Sequence, residues 1–466
     1  MQFSLKQLQT VLSGASVSSD ALVSGLSTDS RKIKPGDLFV ALRGEHFDAH
    51  DFLPQVAASG AAAVVAEHLP ENFSLPALLV PDAKMALAEI GRYWRRQFSL
   101  PVIGVTGSNG KTTVKEMIAA ILAAAYGEER RLATSGNLNN EIGVPMTMLR
   151  LHAGHQAAVI EMGMNHPGEI ALLASVALPT VVLVNNAQRE HQEFMQTVQA
   201  VAQENGAAIR ALPDDGVAVF PADAAYSALW RSYANESAAR KVLSFGLSGG
   251  ADVQGSYQAN EFGSALQIRI AAQTFALQLH AAGEHNVMNA LAAAACCAAI
   301  GIDHQTIARG LEAFQPVSGR LQRKQAPNGR TVIDDTYNAN PDSVRAAIDV
   351  LSQMGGDSAL VLGDMGEVGD EGVQFHEEIG NYARERGVAH LLVLGELVQH
   401  AARAFGAGAR HFSEIGELLS ALDAELSGKT TVLVKGSRFM KMERVVAHLL
   451  ATPGTNSLQQ ETKGNH

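Results

Sequence analysis

The segment GVTGSNGKTT, residues 104–113, follows an apolar run, PVIGV, and precedes a helical stretch expected to begin near Lys111. Glycines, a lysine and hydroxyl side chains at a strand-to-helix junction are the parts of a phosphate cradle. Backbone N–H groups at such a junction point at an anion, and the helix dipole adds to the attraction. Gly107 and Gly110 let the backbone approach phosphate oxygens with no Cβ in the way. The nucleotide-binding segment is therefore expected over Gly107, Ser108, Asn109, Gly110, Lys111, Thr112 and Thr113. Lys111 would sit on the β- and γ-phosphates, and Thr112 is suited to ligate Mg²⁺. The common G-x-x-x-x-G-K-[ST] spacing fails by one place, because Val105 stands five before Gly110. A phosphate cradle implies a bound nucleotide. It leaves open a kinase, a switch, or an enzyme that activates something else with ATP.

Two further apolar runs end on polar residues. VIEMGMNHPGEI places Glu161 at the end of an expected strand, where open α/β sheets gather their ligands. A carboxylate after a buried run needs a cation or a donor to meet. Glu161 is thus a candidate Mg²⁺ ligand, with helix capping or plain exposure as the alternative. VVLVNNAQREH repeats the arrangement, with Asn185 and Asn186 at the strand end and His191 beyond. A neutral imidazole binds metal, although a lone loop histidine is more often solvated. GNLNNEIGVP, with Asn139 and Asn140, either holds a polar substrate through its amides or forms an ordinary turn.

The elements that must position these residues fall into three regions. A chain of 466 residues suggests about three domains of ~150 residues each. The first, 1–99, holds GDLFVALRG and AAAVVAE. The second, 100–317, alternates β-branched runs with helical stretches, the pattern of a parallel α/β sheet. The third, 318–452, follows a Pro316–Gly319 linker and has strands in RTVIDD, SALVLGDMG, HLLVLGE and TTVLVKGS, a doubly wound sheet of the dinucleotide-binding type. Residues 453–466 are polar and expected to be a disordered tail. Composition narrows the function. Hydrophobic residues are 47% and charged residues 18%, as in soluble globular proteins. A net charge of −11 argues against nucleic-acid binding, and no apolar run approaches the ~20 residues of a membrane span. The opening MQFSLKQLQTVLSG has no basic n-region before a long apolar core, so no signal peptide is expected. The two cysteines, Cys296 and Cys297, are neighbours in an alanine-rich helical stretch and read as buried thiols, which suits a reducing cytoplasm.

In combination these segments resemble the Mur ligase family. GVTGSNGKTT, TSGNLNNEIGVP, EMGMNHPGEI, GEHNVMNALAAAA, GRLQ and IDDTYNANPDS stand in the family's order and at about its spacing. The family's loop is T-G-[ST]-x-G-K-[ST], so Val105 is its normal form. DDTYNANPDS, LGDMGEVG and VLVKGSRFMKME are most similar to members that join D-Ala-D-Ala to UDP-MurNAc-tripeptide. STDSRKIKPGDLFVALRGEHFDAHDF resembles their UDP-substrate segment. The resemblance implies a small N-terminal α/β UDP-substrate domain, a central P-loop-type parallel-sheet ATPase domain and a C-terminal Rossmann-like domain. It implies ATP and Mg²⁺, small-molecule substrates, and a cytoplasmic enzyme expected to be a monomer. ATP would phosphorylate the tripeptide's carboxylate, and the dipeptide amine would then displace phosphate. Roles carry over by position. Thr112, Glu161 and His191 form the metal set, and Lys111 and Arg320 bear on the γ-phosphate. Asn289 faces adenine, Asp335 meets the ribose, and Tyr337 and Asn338 are nucleotide neighbours. Ser30 and Arg31 resemble uridine-diphosphate contacts, and Ser437 and Arg438 lie near the incoming amine.

Two departures stand out. Ala49 replaces a common glycine in D-G-H-x-F, and any positive-φ turn there would be strained. Most family members also have an Ala-Lys-x-Glu stretch whose carbamylated lysine binds a second Mg²⁺. Here the run is VAQENGAA, no lysine occurs between Lys115 and Lys241, and Gln203, Glu204 or water is expected to fill the place. Among rivals, the diamino-acid-adding ligase carries Asp-Asn-Pro-Arg, which is absent. Folylpolyglutamate synthase shares the loop but begins near it. A catalytically dead switch is disfavoured by intact Lys111, Glu161 and His191, and a P-loop kinase would have no use for a dipeptide.

Overall fold

The computed structural model describes residues 1–451. The expected tail at 453–466, and position 452, lie outside the described residues. Three large sheets organise the chain, beside a small pair of strands, Phe3–Ser4 and Leu22–Val23. The N-terminal sheet runs in the order Ser16–Val17, Ala77–Leu79, Ala63–Ala66, Asp37–Val40, Gly25–Ser27. Its two middle strands are buried throughout, which is why they read as unbroken apolar runs. Ala49 carries no strain: it lies buried in a 3₁₀ turn, Ala49–Phe52, and is not among the positive-φ residues. Helix Ala83–Arg95 leaves this domain and packs on the next. Arg95, 5% exposed, donates to the carbonyls of Phe98, Leu100, Ala177 and Leu178, and Trp94 Nε1 donates to Leu151 O.

The central sheet has nine strands, ordered Gln273–Leu279, Gly263–Ile270, Val253–Asn260, Lys241–Gly246, Val217–Pro221, Val181–Val184, Val102–Thr106, Ala157–Glu161, Arg131–Ala133. Helices Lys111–Tyr126 and Glu284–Ala299 cover one face, with Cys296 and Cys297 fully buried there. Helices Glu169–Ala177 and Val198–Arg210 cover the other. The sheet is parallel through Val253–Asn260 and then turns antiparallel. The parallel sheet agrees with the pattern of this region, and the antiparallel strands extend it at one edge. In SALQIRI and TFALQL every second residue faces solvent, an arrangement antiparallel strands tolerate because one side stays wet.

The C-terminal sheet is ordered Gln322–Gln325, Thr331–Asp335, Thr431–Lys435, Ser358–Gly363, His390–Leu394, Ala409–Phe412, with only the first strand antiparallel. Helices Pro341–Gln353 and Gly372–Glu385 pack on one face and Ile415–Glu425 and Glu443–Leu450 on the other, so the sheet is doubly wound. Val102–Thr106 lies between Ala157–Glu161 and Val181–Val184. The C-terminal ends of these three strands therefore open into one crevice.

Candidate active site

The phosphate loop is shaped by two glycines. Gly107 has φ +133°, and a Cβ there would meet Asn185 and the Asn186 nitrogen at 3.0 Å. Gly110 has φ +80°, and its Cβ would fall 2.5 Å from Asn289 Oδ1. No other residue fits either place. The loop is braced from the neighbouring strand end. Asn109 N–H donates to Asn186 Oδ1 at 2.8 Å, Gln188 N–H donates to Ser108 Oγ at 2.8 Å, and Asn185 Nδ2 donates to Asn109 O and Asn289 Oδ1. Lys111 curls back on the loop, donating to the carbonyls of Gly107 and Ser108, with Glu190 Oε2 at 3.3 Å. Thr113 lines the same cleft.

Glu161 ends its strand 2% exposed, as its position after a buried run predicts. Oε1 accepts from Thr112 Oγ1 at 3.1 Å and Asn139 Nδ2 at 2.8 Å, whereas Oε2 is shut from solvent with no partner. Glu190 Oε1 is likewise buried and unpartnered. Hard, unsatisfied oxygens beside a phosphate loop suit Mg²⁺, so the residues present fit that ion. His191 holds a left-handed backbone, φ 49°. Its Nε2 is 3.9 Å from Glu190 Oε2 and its Nδ1 is 2.6 Å from Glu367 Oε2. The second contact is close but poorly aligned, leaving Nδ1 without a proper hydrogen bond. The nearness of the imidazole N–H, and then its charge, holds the Glu367 carboxyl below its usual range.

The C-terminal domain closes over this edge. Arg320 Nη2 donates to Thr112 Oγ1 at 2.9 Å, and its guanidinium lies 4.1 Å from the Tyr337 ring centre. Asp335 accepts from Lys435 Nζ at 2.6 Å and from Leu321 N–H at 3.1 Å. Asn338 lends its carbonyl to Lys435. Asn340, the N-cap of helix Pro341–Gln353, pairs by side chain with Asn109 in the loop. Arg189 bridges to both Asp342 and Glu378 at 2.6 Å and stacks near Phe375.

The expected residues do not all converge. Residues 108–113, Asn139, Asn140, Glu161, His191, Asn289, Arg320, Asp335, Tyr337 and Asn338 line one cleft of about 1000 Å³. Asn139 is occupied in holding Glu161, and Asn140 Oδ1 accepts from Ile142 and Gly143 N–H in a turn. Ser30 and Arg31 sit apart in the N-terminal domain, Arg31 exposed and paired with Asp29. Ser437 is buried, accepting from Gly366 N–H and donating to Ala339 O, so it ties loops together behind the cleft. Arg438 is on the surface beside Glu443. The lysine substitute needs correction: Gln203 is exposed, and Glu204 accepts from the N–H groups of Gly168 and Ile170 at a helix start. The residue of that helix that meets the phosphate-loop strand is Asn205, 1% exposed, whose Oδ1 accepts from Thr106 Oγ1 at 2.5 Å.

Among the described residues one group of three potential metal ligands lies close together: Asp48, His50 and His68. His50 Nδ1 donates to Asp48 at 2.5 Å and Nε2 accepts from Glu67 N–H at 2.9 Å. Both ring nitrogens are spent, so His50 anchors its loop and has no lone pair for a cation. The sequence reading passed over Glu190, Glu367, Lys435 and Arg189. Only Lys435 gave a signal, as a lysine ending an apolar strand.

Family models match along the chain: the Mur ligase family catalytic domain over residues 22–95, the Mur ligase middle domain over 105–297, and the Mur ligase glutamate ligase domain over 319–438. An Escherichia coli (strain K12) relative named UDP-N-acetylmuramoyl-tripeptide–D-alanyl-D-alanine ligase is 38% identical over 449 residues, 96% of this chain and 98% of the relative. The chain belongs to the Mur ligase family. Solved Mur ligases superpose over nearly its whole length. MurF from Acinetobacter baumannii has a TM-score of 0.90 at 35% identity, covering 97% of this chain and 99% of that one. MurF from Thermotoga maritima in complex with ADP has a TM-score of 0.82 at 27% identity, covering 92% and 97%. The Mur ligase architecture thus accounts for all three sheets.

Proposed function

We propose that this Mur ligase joins D-alanyl-D-alanine to UDP-N-acetylmuramoyl-tripeptide, with ATP converted to ADP and phosphate, in the making of peptidoglycan precursor. The observation that carries the reading is the match to ligases of that name across all three domains. The cleft chemistry agrees with it. Lys111 is poised to leave its own loop carbonyls for the β- and γ-phosphates. Arg320, already on Thr112 across the cleft, approaches the γ-phosphate from the opposite domain. Two cations from two domains offset the repulsion as a carboxylate oxygen attacks an anionic phosphorus. Bound beside Thr112, Glu161 and His191, Mg²⁺ would add further charge screening. Asp335 and Lys435 offer an acceptor and a donor on the ribose side, and Asn289 offers an amide to the base. Ser30 and Arg31 in the N-terminal domain are assigned to uridine diphosphate. Closure of the C-terminal domain keeps water from the acyl phosphate until the amine arrives. We place the enzyme in the cytoplasm as a monomer.

Phosphate release tests the proposal. It should require ATP, UDP-MurNAc-tripeptide and D-Ala-D-Ala together, and shorter UDP-muramoyl peptides should not serve. Release independent of the dipeptide would sink the ligase reading.

A further inference from the structure

Glu190 is the least explained group in the cleft. Its side chain is 6% exposed, Oε2 is shared between Lys111 at 3.3 Å and His191 Nε2 at 3.9 Å, and Oε1 has no partner at all. A buried carboxylate oxygen left unpaired is costly. It marks a place where something positive is to be received. The family's usual source of negative charge here is missing. Helix Val198–Arg210 has no lysine, and Asn205, its residue against Thr106, has an amide nitrogen that cannot take up carbon dioxide as an amine does.

We propose that Glu190, with His191 Nε2, holds a second divalent cation against the nucleotide phosphates, its carboxylate supplying the charge that a carbamate brings elsewhere. The proposal rests on the reading of the loop as an ATP site. Two protein ligands suffice, because Mg²⁺ is commonly held by one or two side chains, substrate phosphates and water. His191 is oriented for the task. A metal-binding histidine typically turns its other nitrogen to a carboxylate, and Nδ1 faces Glu367, leaving Nε2 toward Glu190. Lys111 neutralises Glu190 while no nucleotide is present. When phosphates draw Lys111 away, the cation takes over as counter-charge. Thr112 and Glu161, whose Oε2 is unpartnered, keep the first cation, and His191 passes from the three-residue set above to the second.

The test counts Mn²⁺ bound to the full chain with a non-hydrolysable ATP analogue, read by the electron paramagnetic resonance of free Mn²⁺, with analogue affinity measured alongside. Wild type should bind two Mn²⁺. Glu190→Gln should keep the first and weaken the second by about tenfold or more, and Glu190→Asp, carboxylate kept but shortened, should fall between. Thermal unfolding of both variants controls for misfolding. Unchanged Mn²⁺ binding in Glu190→Gln overturns the proposal. So does tighter analogue binding with unchanged Mn²⁺, which would make Glu190 only a resting partner of Lys111. A carbamate resonance in wild type supplied with ¹³C-bicarbonate overturns it as well. If wild type binds no analogue, the ATP reading itself fails and the proposal with it, a result separable from the others.

Discussion

Lys111 spends its charge on two loop carbonyls and Glu190. On the proposed reading, replacing it removes a γ-phosphate contact without opening the core, because its side chain is at the cleft. Lys111→Ala should lower the turnover rate by about 10²–10³-fold with the melting temperature nearly unchanged, checked by phosphate release and thermal unfolding. Cys296 and Cys297 are the opposite kind of residue. Burial among aliphatic side chains pushes both thiols well above their ordinary pKa. Neither should react with iodoacetamide at pH 8 until the protein is unfolded, as mass spectrometry would show. At this scale the sequence was readable where a residue closes an apolar run. Glu161 announces itself that way, and Lys111 by the glycine loop before it. Glu190 does not, because it sits between Arg189 and His191 in a polar loop without periodicity. Its partners, Lys111 and the cleft, lie 79 residues away in the chain. Asp335 and Lys435, 100 residues apart, pose the same difficulty.

Elements carry the next level of constraint. The loop's conformation is written into Gly110, whose φ of +80° and 2.5 Å approach to Asn289 leave no room for a Cβ. Gly110→Ala should cost about 1–2 kcal/mol locally and lose nucleotide binding more than stability, measurable by calorimetry with an ATP analogue. Asn340 does two jobs. It caps helix Pro341–Gln353 through a capping box and touches Asn109 across the domain gap. Asn340→Ser should retain most of the cap, while Asn340→Ala should lose about 1 kcal/mol; both should loosen the loop contact. Strand positions were legible because parallel strands buried on both faces appear as unbroken apolar runs. The hairpins Val253–Asn260, Gly263–Ile270 and Gln273–Leu279 were not, because their half-polar alternation stands apart from the pattern of the strands before them. The Asn340–Pro341 start of the helix rests on local chemistry alone, since capping needs no distant partner.

For the whole molecule, the question is which parts move. The C-terminal domain touches the central one through polar groups, Arg189 with Asp342 and Glu378, His191 with Glu367 and Arg320 with Thr112, and through Ala282 and Phe262 packed on its apolar core. The polar contacts open more readily than the packed apolar ones. Arg189→Ala should enlarge the molecule in small-angle scattering and lower turnover by about 10- to 100-fold through misplacement of Arg320. Acid should act on the same latch. Arg189 holds the Glu378 carboxyl below its ordinary 4.5. A depressed pKa contributes to closure above the ordinary value, and the contribution is lost as pH falls through the depressed one. Closure measured by scattering should therefore be flat near neutrality and weaken only below about pH 4.5.

The joint on the other side is built differently. Arg95, buried and bonded to four carbonyls, fastens the N-terminal domain to the central one. A fastened joint fixes the span between that domain and the phosphate loop, and a fixed span is a ruler. With uridine diphosphate held at one end, as proposed for Ser30 and Arg31, a peptide should bring its last carboxylate to the γ-phosphate only when its length matches. Chain length is then measured by the scaffold before any side chain is inspected.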